Sequence, residues 1–275
     1  MRTGTSFRFR RWLAGGALLL SAVPALAAMQ TRPVTWTVGE DAFQGVLVYD
    51  DAGSAKRPGV VMVPNWMGVT DLAVERAKDV AGTDYVVLVA DVYGRDARPA
   101  DKTEARAQVA KAYADGGTTL RARAAAALAA LKAQADNAPL DVARISAIGF
   151  CFGGSVVLEL ARGGADLAGV VSFHGGLKTH LPIAGNALRA PMLVLNGAND
   201  TSVPDADVQA FAQEMEAAGA DWQFVDFGGA VHCFTQPEDA GSDPANNCRY
   251  DERASRRAFA MMRAFFTERF AAPAP

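Results

Sequence analysis

The chain reads as one α/β domain, a mostly parallel twisted sheet with helices on both faces, and three observations predict it. Apolar runs of strand length alternate with helical patterns along residues 28–275, which is the pattern of strand–helix–strand crossovers. The inner runs are continuously apolar rather than alternating, as in strands buried on both faces. The chain has 275 residues, half of them hydrophobic, enough for one substantial core and too few for two comfortable ones.

The first 27 residues stand apart from that pattern. Arg2, Arg8, Arg10 and Arg11 form a basic start without an acidic residue, residues 12–23 are apolar, and Ala25-Leu26-Ala27 is a small-x-small cleavage site. The apolar run is too short to span a bilayer, so residues 1–27 are expected to be a secretory signal peptide. The protein is then expected to be periplasmic or secreted. Its cleavage removes four of 27 basic residues, leaving 23 against 30 acidic ones, a net charge of −7. An acidic chain without a basic cluster argues against a nucleic-acid partner. No later apolar run is long enough for a membrane span, and a monomer or weak homodimer is expected.

Within residues 28–275 the elements follow in order. Residues 34–38 and 43–49 are predicted to form an opening hairpin with Gly39 in its turn. Strands are predicted at 59–63, 85–90, 145–148, 167–173, 191–196 and 222–227, and helices at 72–81, 101–114, 119–135, 155–162, 205–218 and 251–270. The Ala-rich stretch 122–133 reads as a packed helix rather than a linker. Neither an internal repeat nor an interdomain linker interrupts the pattern, so residues 28–275 are expected to form a single domain.

One junction carries chemistry. Gly149-Phe150-Cys151-Phe152-Gly153, with Gly154 behind it, follows the strand at 145–148 and precedes a helix. Gly-x-nucleophile-x-Gly between a strand and a helix is the nucleophile elbow of the α/β-hydrolase fold. The nucleophile sits at strained dihedrals on a tight turn, so the residues two before and two after must be small. The helix start points free N–H groups and its positive dipole end at the side chain, which favours thiolate. The competing reading is a buried Cys acting as a small hydrophobe.

A thiol nucleophile needs a base and a group to orient that base. In this fold the chain order is nucleophile, acid, base. Asp200 follows the strand at 191–196, and His232 follows the last predicted strand in Gly228-Gly229-Ala230-Val231-His232. Separately, each has a bland alternative, a turn aspartate and a solvated loop histidine. Together they place three fitting residue types after three strand ends in the right order. The oxyanion hole is expected from two backbone N–H groups, one of Phe152 and one from the loop around Asn65 or Trp66. His174 is expected at the same rim, as a pocket wall, a second proton carrier or a satisfied histidine. Trp66, Met67, Tyr93 and Phe152 read as an apolar acyl pocket or as core.

The three cysteines are Cys151, Cys233 and Cys248. Export implies an oxidising compartment, and an odd count leaves one thiol over. Cys233 and Cys248 flank a polar loop, and bridging it adds about 3 kcal/mol, so a Cys233–Cys248 disulfide with Cys151 free is expected.

From residue 59 to 266 the chain resembles the dienelactone hydrolase family. The matching segments are 60–68, 86–95 with Asp91-Val92-Tyr93-Gly94-Arg95, the elbow at 149–154, 196–204 and 229–237. The resemblance implies an α/β-hydrolase domain with a Cys-Asp-His triad and neither metal nor organic cofactor. Carried over, Cys151 is the nucleophile, Asp200 the acid and His232 the base. The family holds carboxylate substrates with two arginines. Arg95 stands at one such position, while Gln236 occupies the other, four residues after the base. Asn65 stands where the family has a Glu that engages the resting cysteine.

The expected function is hydrolysis of a carboxylic ester or lactone, a small molecule, through an acyl-thioester. Asn65, Trp66, Tyr93, Arg95, His174 and Gln236 are the expected substrate-binding residues. Two alternatives compete: a non-catalytic module binding a small carboxylate near Arg95, and a thiol redox protein pairing Cys151 with Cys233. The three scattered histidines lack metal-ligand spacing.

Overall fold

A computed structural model describes residue 1 and residues 28–179, 181–183 and 188–271. The expected signal peptide, apart from residue 1, and His180 lie outside the described residues. Eight strands form one sheet: β1 (Met29–Val38), β2 (Asp41–Asp50), β3 (Arg57–Val63), β4 (Val86–Val89), β5 (Leu140–Phe150), β6 (Val170–Phe173), β7 (Met192–Gly197) and β8 (Trp222–Phe227). Their order across the sheet is β1-β2-β4-β3-β5-β6-β7-β8. The β1–β2 hairpin joins antiparallel to β4, and the other pairings are parallel.

Among the described residues six helices cover the sheet: α1 (Asp71–Ala81), α2 (Lys102–Ala112), α3 (Thr118–Lys132), α4 (Phe152–Arg162), α5 (Asp205–Ala217) and α6 (Glu252–Ala271). Alternation along each strand splits the core in two. Val60 and Met62 pack with Ala77 and Val80 of α1 and Met262 and Phe266 of α6. Val61 and Val63 pack on the other face, with Leu128 and Leu131 of α3, Val156 and Leu160 of α4, and Phe211 of α5. Each such fully buried side chain contributes about 1.5–3 kcal/mol. Described residues include no helix long and apolar enough to cross a membrane.

This layering places the site. The chain leaves β3 toward α1 on one face and leaves the neighbouring β5 toward α4 on the other. The two crossovers diverge and open a crevice at the carboxyl ends of the strands, where open α/β sheets bind ligands.

Observed elements differ from the predicted ones mainly at their starts: β1 begins at Met29 rather than 34, β5 at Leu140 rather than 145, and α4 at Phe152 rather than 155. Gly153 and Gly154 have poor helix propensity, but the elbow forces the helix to start directly after Cys151. Every residue of α4 is buried, including Glu159 and Arg162. Arg162 pairs with Glu159 (3.0 Å) and with Glu214 of α5 (2.6 Å), and Arg121 of α3 also reaches Glu159 (2.6 Å). These pairs tie the helix that follows Cys151 to its neighbours with its buried charges compensated.

Candidate active site

Cys151 caps α4 at φ +55° and ψ −122°, a conformation sparsely populated by residues with a side chain. The flanking glycines are sterically required. A Cβ on Gly149 would lie 2.0 Å from the Gly153 carbonyl oxygen, and one on Gly153 would lie 2.1 Å from that of Val63. Phe152 opens the helix, so its N–H has no carbonyl one turn back to bond.

His232 lies beyond the end of β8, with Nε2 3.0 Å from Cys151 Sγ and Nδ1 2.7 Å from Asp200 Oδ2. Asp200 follows β7, and its other oxygen accepts from the Ser202 N–H (2.8 Å) and from Asn247 Nδ2 (3.0 Å). Burial works against the charge of this carboxylate. The hydrogen bond and charge of His232, with the bonds from Asn247 and Ser202, outweigh it and hold Asp200 below the usual carboxylate range. Burial likewise works against a charged His232. Its bonds to Asp200 and Cys151, and the negative charge of both, raise it to about 10.

A cavity of about 1030 Å³ opens over these groups, lined by Cys151 and His232 together with Met62, Trp66, Met67, Leu72 and Phe150. Asn65 and Gln236 also line it and bond to one another, Asn65 Nδ2 donating to Gln236 Oε1 (3.1 Å). Asn65 further accepts from the Met67 N–H (3.0 Å), and Gln236 donates to Asp239 (2.7 Å). This run of amides ties the loop carrying Trp66 to the loop carrying His232.

Three residues expected to bind substrate are placed elsewhere. Tyr93 is buried outside the cavity lining; its hydroxyl donates to the Trp66 carbonyl (3.0 Å) and its ring stacks on Phe152 at 5.4 Å. It braces the elbow and the Trp66 loop. Burial, then the charge of Cys151, pushes its phenol far above the usual value. Arg95 is exposed and pairs with the adjacent Asp96 (3.2 Å), outside the cavity. Its chain neighbour offers a carboxylate in solvent, which the guanidinium takes. The cations lining the cavity are Arg76 and Lys102, and Arg76 donates to the Thr235 carbonyl (2.8 Å).

His174 is the third. It is wholly buried rather than at the rim. A backbone N–H can only donate, so its Nδ1 accepts from Cys151 N–H (3.2 Å), and Nε2 carries the proton toward Thr235 Oγ1 (2.8 Å). Burial first, then the neighbouring His232, holds its pKa well below the usual histidine value. It is the satisfied histidine of the three alternatives.

Cys233 and Cys248 form the expected disulfide and Cys151 is free. The redox reading loses its resolving thiol thereby, because Cys233 is already bonded. Cys233, Cys248 and Asp239 have ligand atoms close enough for a metal, but both sulfurs are bonded to each other and offer no thiolate.

Sequence reasoning passed over Thr235 and Asn247. Thr235 lies three residues past the base with nothing local to mark it. Asn247 had a usable signal: it precedes Cys248, and the expected disulfide brings the neighbours of Cys248 to those of Cys233.

A family model described as the dienelactone hydrolase family matches residues 43–270. Among solved structures, one named m3DLH is 37% identical and covers 88% of this chain and 98% of its own, with a TM-score of 0.80. The dienelactone hydrolase-like promiscuous phosphotriesterase P91 from metagenomic libraries is 38% identical with the same coverage and a TM-score of 0.79. The carboxymethylenebutenolidase homolog of Homo sapiens is 29% identical over 110 residues, 40% of this chain and 44% of that one.

Proposed function

The chain belongs to the dienelactone hydrolase family and is a carboxylic ester hydrolase, and we propose that it cleaves esters or lactones with Cys151 as nucleophile, His232 as proton carrier and Asp200 as its orienting acid. The observation that carries this reading is the unbroken chain Cys151 Sγ–His232–Asp200, at 3.0 and 2.7 Å, on the wall of the cavity.

In the resting enzyme the shared proton sits on His232, between the Cys151 sulfur and the Asp200 carboxylate. The sulfur attacks the substrate carbonyl, and the oxyanion is met by the N–H groups of Phe152 and Trp66. As the carbon–oxygen bond breaks, His232 gives its proton to the leaving alkoxide, and an acyl-thioester remains on Cys151. Acylation consumes the sulfur's negative charge, one of the causes that raise His232. Neutral His232 then takes a proton from water, which attacks the thioester and releases the acid. Asp200 keeps Nδ1 bonded throughout and so aims Nε2 at the sulfur.

The substrate class follows from the cavity wall. Arg95 is turned to solvent and Gln236 is an uncharged amide bonded to Asn65, so neither position clamps a carboxylate, the cations of the wall are Arg76 and Lys102, and esters and lactones without a carboxylate are accepted as well. The alternative of a carboxylate-binding module rested on Arg95 beside the pocket and loses that support. An oxidising compartment outside the cytoplasm suits the Cys233–Cys248 bond, and the enzyme is assigned there.

The test is hydrolysis of a small activated ester by Cys151→Ala and His232→Ala. Each is expected to lose on the order of 10³-fold or more in kcat while its circular dichroism matches wild type. Wild-type turnover by folded Cys151→Ala would refute the mechanism.

A further inference from the structure

The carboxylate of Asp200 has two oxygens, and only one faces the base. The other accepts from a backbone N–H and from one further side chain, Asn247. The amide of Asn247 is bonded on both sides. Its Oδ1 accepts from the Thr201 N–H (2.9 Å), and its Nδ2 donates to Asp200 (3.0 Å) and to the Ser202 hydroxyl (2.8 Å). The N–H of Thr201 fixes which end of the amide is oxygen, so a donor necessarily faces the carboxylate. A carboxylate gripped on both oxygens does not rotate away from His232.

Asn247 belongs to neither a helix nor a strand. What holds it is its neighbour: Cys248 is bonded to Cys233, which follows the base directly. The Arg249 N–H also donates to the His232 carbonyl (2.9 Å), and Cys248 and His232 face one another as a parallel bridge. The base and Asn247 therefore sit one residue from opposite ends of the same disulfide.

We propose that Asn247 is the positioning residue of Asp200 and that the Cys233–Cys248 disulfide holds it in place, so that full activity needs this bond oxidised while Cys151 stays reduced. The inference rests on the Cys151–His232–Asp200 reading above.

The test compares wild type, Asn247→Ala, Asn247→Asp, His232→Ala and the double variant Cys233→Ser/Cys248→Ser. Three quantities are measured: kcat and KM for p-nitrophenyl acetate, and the rate at which iodoacetamide alkylates Cys151, located by peptide mass. Asn247→Ala is expected to lose about ten-fold in kcat, the scale of one hydrogen bond to a charged group, with KM unchanged and Cys151 alkylation slowed. Asn247→Asp keeps the shape but turns a donor into an acceptor facing a carboxylate, so it is expected to lose at least as much. The double variant is expected to reproduce the loss of Asn247→Ala.

Wild-type kcat in Asn247→Asp would reduce Asn247 to a space filler, and a loss confined to KM would make it a substrate contact; either overturns the proposal. Wild-type kcat in the double variant overturns the part assigned to the disulfide. If His232→Ala leaves Cys151 alkylation unchanged, the underlying pair is wrong. If His232→Ala slows alkylation but both Asn247 variants match wild type, the pair stands and only the role of Asn247 fails.

Discussion

His174 and His232 follow two different strands, β6 and β8, yet their rings lie 5.2 Å apart, edge to face. His174 is wholly buried and His232 partly so, and burial alone would push both toward the neutral form. Their partners separate them. His174 meets a backbone N–H and a hydroxyl, neither of which carries a negative charge to offset burial, and stays neutral. His232 meets a carboxylate and a sulfur, and is raised to about 10. Two histidines in one small volume thus take opposite protonation states. The neutral one holds the backbone of Cys151, and the charged one faces its sulfur.

The sharpest way to break this contrast is substitution. His232→Gln removes the proton carrier and is expected to abolish measurable turnover. His174→Gln removes two hydrogen bonds beneath the elbow. It is expected to cost about 1–3 kcal/mol of stability, read from urea unfolding, and to leave kcat within about ten-fold of wild type. Equal losses of turnover in the two variants would dissolve the distinction.

Acid and alkali probe the same contrast from opposite sides. The folded pKa of His174 lies below its unfolded value near 6.5, so the unfolded chain binds the extra proton in acid. The contribution of His174 to stability is therefore complete above pH 6.5 and is lost as pH falls from there toward its folded pKa. Melting temperature is expected to drop over that range, and to drop less steeply in His174→Gln. His232 bonds both Asp200 and Cys151. Loss of its proton on the alkaline side is expected to reduce kcat/KM as pH passes about 10.

The smallest expected effect tests the edge of the site. Arg95 is exposed and paired only with its neighbour, an interaction of little energy. Arg95→Ala is expected to leave kcat/KM for neutral esters within about two-fold, the scale of such a surface pair. A large loss would return Arg95 to the substrate wall.

What could be read from the sequence was local. Cys151, Asp200 and His232 each follow a strand end, so strand–loop alternation places them together once the parallel sheet is recognised. Gly149 and Gly153 are required by clashes with backbone a few residues away or on the adjacent strand. What could not be read depends on the path of loops and the direction of side chains. Asn65 and Gln236 are 171 residues apart and bond by their amides, which no spacing rule reports. His174 lies at a strand end as expected, but its φ of +39° turns the ring inward beneath Cys151, and sequence carries no marker of that turn. Tyr93 was legible as apolar and buried. Its hydroxyl bond to the Trp66 carbonyl, which makes it a brace, was not.

The most direct measurement is the mass of the enzyme quenched in acid during turnover of a small activated ester, with the modified peptide sequenced. The expected result is one acyl group on Cys151, absent from Cys151→Ala. An acyl group on another residue, or undiminished turnover by Cys151→Ala, would contradict covalent catalysis by the thiol.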